Sequence, residues 1–148
     1  MSTEDEFDDM NRMLDILQHI DLGLVVIDQH FDIDIWNGFM VHHTGKMASD
    51  VKGQSLFDVF PEIEEMWLRE KLHSAFNHKQ AVFSVWQDRP YLFKSRNVLP
   101  LTGNKKPMFQ NVTFRPLVNM RGIVTHVGIM VTNVTTEALL YSRVKGNA

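Results

Sequence analysis

The sequence predicts an α+β domain in which helices cover one face of a single antiparallel sheet. Two observations favour this class. Segments rich in β-branched and aromatic residues lie towards both ends of the chain, and segments with helical spacing of apolar residues lie between them. The order is helix, two strands, several short helical turns, one longer helix, three strands and a final helix. The last strands must therefore return beside the first two to complete one sheet.

The composition is that of one soluble domain, with 148 residues of which 44% are apolar and 22% charged. The chain contains no cysteine, which excludes disulfide bonds, thiolate metal sites and cysteine nucleophiles. A net charge of −3 and scattered basic residues give no reason to expect nucleic-acid binding. Because no apolar run has membrane-spanning length and the opening MSTEDEFDDM does not resemble a signal peptide, we expect a cytoplasmic protein.

The first element is predicted to be an amphipathic helix that follows a short acidic tail. Five acidic residues lie within residues 2–9, and we expect this tail to be frayed. Apolar residues then recur at alternating steps of three and four and form a heptad-like seam: Phe7, Met10, Leu14 and Leu17, with Met13, Ile16 and Ile20 beside it. Two heptads are too short to hold a coiled coil alone. Two interpretations stay open: the helix packs on its own domain, or it also pairs with its copy in a dimer.

The next two elements are predicted to form a β-hairpin. LGLVVID, residues 22–28, is mostly apolar and indicates a buried strand, and QH makes the turn. FDIDIW, residues 31–36, alternates strictly between apolar and acidic residues. We therefore expect the alternating side chains to lie on two faces, with Phe31, Ile33 and Ile35 on one and Asp32 and Asp34 on the other.

The middle of the chain is predicted to be helical. Residues 37–60 mix glycine, serine and aspartate with short apolar clusters, which indicates several short helical turns. Ser55 is placed to cap a brief helix over 56–60 that Pro61 ends. An amphipathic helix is expected from about Glu62 to Asn77, and its buried face contains Leu68, Leu72, Ala75 and Phe76.

The second half is predicted to consist mainly of strands. AVFSVWQ at 81–87 is a strand, and YLFKSRNVLP at 91–100 is extended and closed by Pro100. LTGNKK is a turn, PMFQNVTFRPLVN at 107–119 is a long strand, and residues 120–122 turn into a last strand at 123–135. An exit helix over 136–145 stops after about two turns, which favours a piece of a larger regulator.

Four segments together resemble the PAS domain, a ligand-binding and signalling module. They are VVID followed by DIDIWN (Asp32–Asn37), then VKGQSLFDVFP (Val51–Pro61), then GIVTHVGIMVTNVT (Gly122–Thr135). The resemblance covers roughly Leu22 to Thr135, and Asn133 stands where such domains very often carry aspartate. The segments RPYLFK and QNVTFRPL look like those of PAS regulators ahead of bacterial diguanylate cyclase and histidine kinase domains.

This resemblance implies a five-stranded antiparallel sheet with helices on one side and a pocket between them for a small ligand or cofactor. The flanking helices of such domains often dimerise and pass the signal to an effector. The implied organisation is an acidic tail and N-terminal helix at 1–21, the PAS domain at 22–135 and the start of a linker helix at 136–148.

Catalytic and metal-binding patterns are not found in the sequence. No nucleophile–base set or G-x-S-x-G motif occurs, and TGK at 44–46 lacks the upstream glycine of a phosphate loop. His42 and His43 are adjacent and would point about 100° apart on a helix, which is poor geometry for joint chelation. His73 and His78 are five positions apart and also diverge. We therefore expect no enzyme activity in this chain and no structural zinc site.

The cofactor candidates come from the resemblance. Some PAS domains bind haem through a histidine of the long helix, so haem b is the first candidate, with His73 as the only metal ligand. If Leu72 is the centre of the buried face, His73 lies about 100° around at its boundary, where outward orientation to water is the ordinary case. Non-covalent flavin is the second candidate. The cysteinyl–flavin adduct of light-sensing relatives is excluded, because the chain has no cysteine.

The polarity of the last two strands bears on the pocket. Gln110 shares the even-numbered face of its strand with Met108, Val112 and Phe114, and His126 shares the even-numbered face of the next. If these faces line the core, both polar side chains need a protein partner, a water or a ligand, because an unpartnered buried group costs about 1–3 kcal/mol. The odd face of the last strand is also apolar, and the N-terminal helix or a second subunit are its candidate covers. The predicted ligand-pocket residues are Trp36, Asn37, Phe57, Trp67, His73, Phe76, Gln110, Phe114 and His126.

Two functions follow from this interpretation. The first is a sensory module in which a small molecule bound between sheet and helices alters the flanking helices and the dimer, and through them an effector such as a diguanylate cyclase or histidine kinase. The second is a ligand-free PAS domain used for dimerisation or docking. Both predict a homodimer, with Phe7, Met10, Leu14 and Leu17 at the interface.

Overall fold

The computed structural model describes residues 2–98 and 105–146. The helices are α1 (Thr3–His19), α2 (Gly38–Thr44), α3 (Ala48–Val51), α4 (Leu56–Val59), α5 (Glu65–His78) and α6 (Thr135–Gly146). The strands are β1 (Gly23–Asp28), β2 (Ile33–Trp36), β3 (Val82–Ser84), β4 (Arg96–Val98), β5 (Lys105–Pro107), β6 (Gln110–Val118) and β7 (Val124–Asn133). None of the helices in these two described ranges is long and apolar enough to cross a membrane.

Five of the described strands form one antiparallel sheet in the order β2-β1-β7-β6-β3. The last strand therefore lies beside the first, with Gly23 opposite Val131, and this confirms that the chain returns to close a single sheet. β4 and β5 form a separate two-stranded ribbon. The extended segment expected at 91–100 is a strand only at β4, and residues 99–104, with Pro100 and most of the turn expected there, lie outside the described residues.

A β-bulge in the first hairpin changes the expected faces of β2. Val26 pairs with Ile35 but Ile27 pairs with Ile33, so Asp34 is an extra residue without an opposite partner. One extra residue reverses the alternation of side chains along a strand. Ile33 and Trp36 consequently face the core, whereas Ile35 is 38% exposed on the other face. The prediction that Ile35 shares a face with Phe31 and Ile33 was wrong for this reason.

The free edge of β2 is covered by the segment that leads into α4. The amides of Gly53 and Leu56 donate to the carbonyls of Ile33 and Phe31, and the Ile33 amide donates to Gln54. Gly53 has a φ of 83°, which allows the chain to turn sharply towards the strand. Ser55 then caps α4 as predicted, since its hydroxyl accepts from the Phe57 amide at 3.3 Å. This arrangement hides a strand edge that would otherwise be open to pairing.

The register of β6 and β7 decides which residues face the helices. Val112 lies opposite Val131 and Phe114 lies opposite Ile129, so even-numbered positions of β6 share a face with odd-numbered positions of β7. All four side chains are at most 2% exposed and belong to the core. The odd face of β7 is therefore the core face. His126, which is even-numbered, lies on the opposite face from Gln110, and the expectation that the two even faces coincide is corrected.

The longer helix packs its predicted face on the centre of the sheet. α5 begins at Glu65 rather than Glu62 and contacts β6 and β7. Leu68, Leu72 and Ala75 are fully buried in that contact, and Phe76 packs against the core at its edge. The short helices α2, α3 and α4 complete the layer over the sheet, as expected for one core between two layers.

The first helix starts earlier than predicted. Ser2 and Asp5 form a capping box in which the Ser2 hydroxyl accepts from the Asp5 amide and the Asp5 carboxylate accepts from the Ser2 amide. Acidic residues in the first turn also suit the positive end of the helix dipole. The acidic residues expected to form a frayed tail are thus the first turns of α1. None of the residues of α1 is buried.

Candidate functional site

The space between α4 and the sheet contains three packed aromatic side chains. Trp36 stacks on Phe60 with ring centroids 5.8 Å apart, and the edge of Phe93 meets both rings at 6.2 and 4.9 Å. The three residues are at most 3% exposed, and the Trp36 indole nitrogen donates to the Lys46 carbonyl at 3.0 Å. A predicted pocket residue, Trp36, is therefore a core residue in this packing.

Gln110 is buried at the start of β6 and has protein partners at both ends of its amide. Its oxygen accepts from the amides of Leu92 and Phe93, each at 3.1 Å, and its nitrogen donates to the Phe93 carbonyl at 2.6 Å. The Gln110 backbone amide also donates to Pro90. The side chain thus ties the segment before β4 to the sheet, which is the protein-partner alternative among those left open by the sequence.

Asn37 points away from the aromatic group and towards the end of α1. Its side chain is fully buried and caps α2 by accepting from the Met40 amide at 3.4 Å. Trp36 and Asn37 are neighbours in sequence, but they face different parts of the molecule, as successive residues at a strand end do. The structure therefore does not bring these two predicted pocket residues together.

A second aromatic cluster lies where the turn of the first hairpin meets α5. Phe31 packs edge-on against Phe57, His73 and Phe76, with ring centroids 5.6, 5.8 and 6.4 Å apart. The Arg69 guanidinium lies over this cluster, 4.6 Å from the centroid of Phe57 and 5.1 Å from that of Phe31. Three predicted residues, Phe57, His73 and Phe76, are thus grouped around Phe31.

Phe31 holds this position because of an unusual backbone conformation. Its φ is 67°, in the left-handed region that favours glycine or asparagine, and its amide donates to the Asp28 carbonyl at 3.0 Å to close the turn. A side chain in this region costs roughly 1–2 kcal/mol. The conformation places the Phe31 ring, 8% exposed, between the hairpin and α5. Its apolar place in an alternating run concealed this role in the sequence.

A cleft of about 260 Å³ opens beside the cluster. It is lined by Gln29, Phe31, His73, Phe76, Asn77 and Val124. Two of these, His73 and Phe76, were predicted pocket residues. Pockets for drug-sized ligands are typically 300–1,000 Å³, so this cleft suits only a smaller molecule.

The residues around His73 do not fit a haem in this packing. His73 is exposed, and its ring meets the edge of Phe31. The inward positions of α5 on either side of it, Leu72 and Ala75, are fully buried against the sheet. A haem is larger than the cleft and would require these side chains to move apart.

Trp67 and Phe114 form part of the wall between α5 and the sheet. Their ring centroids are 6.4 Å apart, and Phe114 is fully buried. The Arg89 guanidinium covers Trp67 at 4.0 Å from the ring centroid and pairs with Glu64 at 2.6 Å. The cation–π contact of Arg89 covers one side of this predicted pair. Trp67 is half-buried and also lines an open surface groove together with Glu70, Lys71, Ser74 and Val82.

His43 on α2 and His126 on β7 belong to neither aromatic group. His126 is on the outer face of the sheet, with its Nε2 3.8 Å from an Asp34 carboxylate oxygen. Partial burial, together with the nearby charge of His42, lowers the pKa of His43, and Asp21 opposes this shift. Within residues 2–98 and 105–146, no group of three metal-binding side chains converges.

A model of the PAS fold family matches residues 11–134, which is most of the chain. The chain belongs to the PAS family. The resemblance identified in the sequence is thereby confirmed, together with the five-stranded sheet that it implied. PAS domains are generally non-catalytic sensory modules, and nothing in the described site indicates catalysis. No curated protein sequence matches the chain.

Solved structures share this PAS fold at low sequence identity. A sensory box sensor histidine kinase from Vibrio cholerae is 22% identical, with a TM-score of 0.60, and the alignment covers 89% of this chain and 98% of that chain. The PAS domain of nitrogen regulation protein NR(II) from Vibrio parahaemolyticus is 15% identical, with a TM-score of 0.54 and coverage of 82% and 96%. An RNA-binding Light-Oxygen-Voltage receptor is 18% identical, with a TM-score of 0.62 over 93% of this chain and 35% of that one. These identities show the fold alone.

Proposed function

We propose that this chain is a regulatory PAS module that pairs with a second copy through α1 and passes conformational changes of its core to an effector through its flanking helices. The exposed apolar seam of α1 is the observation that carries this proposal. Phe7, Met10 and Leu14 are 51–60% exposed and lie along one side of the helix. An exposed apolar stripe with polar surroundings marks an interaction surface.

The charges of α1 are arranged in a way that supports pairing. Asp8, Arg12 and Asp15 lie about 100–160° around the helix from Leu14, so the seam itself is free of these charges. Parallel pairing of two copies would bring Phe7, Met10, Leu14 and Leu17 together at a and d positions. Two heptads give a weak contact alone, so association is expected to depend strongly on protein concentration.

Sedimentation velocity over a concentration series tests this pairing. We expect the wild-type chain to shift from monomer to dimer, and Leu14→Asp to stay monomeric because it places a charge in the seam. Arg12→Ala is the matched control, since it changes the net charge by the same one unit on the opposite side of α1. A wild-type chain that is monomeric throughout the series would refute the dimer, as would equal effects of the two substitutions.

The cleft beside Phe31 favours a second candidate function, in which the module senses a small molecule. The lining of the cleft combines the aromatic rings of Phe31 and Phe76 with the polar side chains of Gln29, His73 and Asn77. A ligand there would contact both α5 and the hairpin, and it would shift the equilibrium between packings that differ at this point.

Native mass spectrometry of the purified chain tests the small-molecule candidate. A bound metabolite should add mass, and Phe76→Trp, which fills the cleft, should remove that addition. Met66→Trp is the control, because Met66 is 81% exposed on the same helix. An absorption spectrum of the same sample is expected to show no Soret band, given the packing around His73. Retention of the added mass in Phe76→Trp would exclude the cleft as its site.

We propose two alternative effector classes for this module, histidine kinases and diguanylate cyclases. The sensor histidine kinase from Vibrio cholerae supports the first, since its structure shares the fold over 98% of that chain. The segments RPYLFK and QNVTFRPL support either class. A fusion of this chain to the catalytic part of each enzyme would show which one changes activity when Leu14→Asp breaks the proposed pairing, and no change in either would exclude both.

A further inference from the structure

The carboxyl end of α1 is attached to the domain at a small site next to α2. The rest of α1 lies on the surface without a buried residue, although it contacts α2. Its position relative to the sheet therefore depends strongly on the few atoms at this attachment. We call Asn37 and Gly38, which provide it, the α1 socket.

The Asn37 amide joins four backbone groups from different elements. Its nitrogen donates to the carbonyl of Leu17 at 2.9 Å and to that of Leu22 at 2.7 Å, so it holds the last turn of α1 and the linker that follows. Its oxygen accepts from the amide of Leu24 at 3.0 Å and from that of Met40 at 3.4 Å, in β1 and α2. The nitrogen of this buried amide therefore holds α1 and its linker, whereas the oxygen holds β1 and α2.

Gly38 permits the close approach of α1 to α2. A Cβ added at Gly38 would lie 2.1 Å from the Gln18 carbonyl oxygen, a distance that no side chain can adopt. The φ of Gly38 is not in the left-handed region, so glycine is required here by space and not by backbone conformation. A larger residue would push the last turn of α1 away from the domain.

The residue before the socket lies in the core. Trp36 packs against Phe60 of the segment after α4 and against Phe93. Because Trp36 and Asn37 share a peptide bond, a repacking that shifts Trp36 also shifts the amide that holds α1.

We propose that the α1 socket couples the packing around Trp36 to the direction of α1. This inference rests on the proposed regulatory function and adds the route by which the core reaches the N-terminal helix. The route uses one side chain and one close contact, and each can be changed separately.

Two substitutions test the socket itself. Asn37→Asp keeps the acceptor for Leu24 and Met40 but replaces the donor to Leu17 and Leu22 with an oxygen, which repels their carbonyls. Gly38→Ala introduces the clash with Gln18 while placing a better helix former in the first turn of α2. Gly146→Ala is the control, because a Cβ there meets no atom within 4 Å.

The distance from α1 to α5 is the measurement. The chain has no cysteine, so Asp9→Cys and Met66→Cys introduce spin labels at two exposed sites without background labelling. Excess unlabelled chain keeps the measured distances within one molecule. We expect a narrow distribution for the otherwise wild-type chain and for Gly146→Ala, and a broader or displaced one for Asn37→Asp and Gly38→Ala. A cooperative thermal transition identifies which of these two variants are folded. If the distance distribution of a folded variant is unchanged, the proposal is overturned.

A double-substitution cycle tests the coupling to the core. Trp36→Phe should alter the same distance distribution, and this effect should disappear when Asn37→Asp is also present. If Trp36→Phe has no effect, or if its effect persists in the Asn37→Asp chain, the socket does not carry the coupling. Because all distances are intramolecular, failure of this test differs from failure of the dimer, which sedimentation measures.

Discussion

At the residue scale, two buried amide side chains of this domain, Gln110 and Asn37, hold backbone segments together. Gln110 and Asn37 are at most 1% exposed, and in each the side-chain oxygen accepts from backbone amides while the nitrogen donates to backbone carbonyls. Sequence patterns identified Gln110 as a buried polar group, but they did not show whether its partner was the protein or a ligand. The structure gives the protein as the partner, because the segment before β4 returns to the sheet at this residue.

The Gln110 amide is predicted to be a major contributor to stability. Gln110→Leu leaves the amides of Leu92 and Phe93 and the Phe93 carbonyl without partners, and we expect the free energy of unfolding to fall by about 3 kcal/mol. Urea denaturation measures this loss. Gln87→Leu makes the same chemical change at an exposed turn and should have little effect. Equal stabilities of the two variants would contradict the assigned hydrogen bonds.

His43 is predicted to make the stability of the domain depend on pH. Burial and the charge of His42 lower its pKa below the ordinary value of 6.5. The unfolded chain therefore binds the proton more readily, so this contribution to stability is intact above about pH 6.5 and is lost as the pH falls through the pKa of the folded state. Between about pH 7.5 and about pH 5, we expect the free energy of unfolding to fall less in His43→Gln than in the wild type. Chemical denaturation at each pH measures this difference.

The exposed turn residue His30 provides the control for this pH dependence. His30→Gln leaves His43 in place, so it should lose stability on acidification as steeply as the wild type. A wild-type slope in His43→Gln would show that other groups account for the acid sensitivity.

At the element scale, β1 and α2 approach each other closely at Gly23. A Cβ added at Gly23 would lie 2.8–2.9 Å from atoms of Met40, Phe39 and Val131. The same addition at Gly128 meets its nearest atom, on Leu117, at an ordinary 3.6 Å. Gly23 is therefore required by the close packing around it, whereas the space at Gly128 would accept a Cβ.

The two glycines are predicted to differ in their tolerance of alanine. Gly23→Ala forces β1 and α2 apart and should lower the free energy of unfolding by roughly 1–3 kcal/mol. Gly128→Ala should be neutral or slightly stabilising, because alanine has less freedom than glycine in the unfolded chain. Chemical denaturation of both variants checks this order, and a reversed order would be inconsistent with the described packing.

At the scale of the whole molecule, α1 and the sheet domain are joined but share little buried surface. We predict that deleting residues 2–13 leaves the melting temperature of the remaining monomer within about 3 °C of a monomeric Leu14→Asp chain. Self-association should be lost at the same time, since the deletion removes much of the seam. Calorimetry and sedimentation of the two chains check both outcomes, and a large drop in melting temperature would show that α1 stabilises its own domain.

Much of the architecture was predictable from the sequence, whereas the faces of individual strands were not. Ser55, Pro61 and the apolar spacing along α5 are local signals, and the structure confirms the elements that they predict. The exposure of Ile35 and the place of His126 depend on the bulge at Asp34 and on the register of β6 against β7. These features depend on how segments pair across the sheet, and a one-residue bulge changes which side chains face the core. The local sequence pattern does not show where such a bulge occurs.

The capping box of α1 was a local signal that the acidic composition concealed. Ser2 followed by Asp5 has the spacing of a helix start, but the run of acidic residues around it favoured a solvated tail. The left-handed Phe31 had no signal at all, because its neighbours alternate as they would in an uninterrupted strand. The cleft beside it was therefore beyond prediction from the sequence.

The pairing of Gly23 with Val131 places the entry and the exit of the sheet domain side by side. A domain whose two connections lie close together can be inserted into a host protein, or repeated in tandem, with little disturbance of the segments on either side. A domain of this kind can be transferred between host proteins during evolution. For protein engineering this arrangement recommends the junctions near Leu22 and Val134 as points at which one sensor could be exchanged for another.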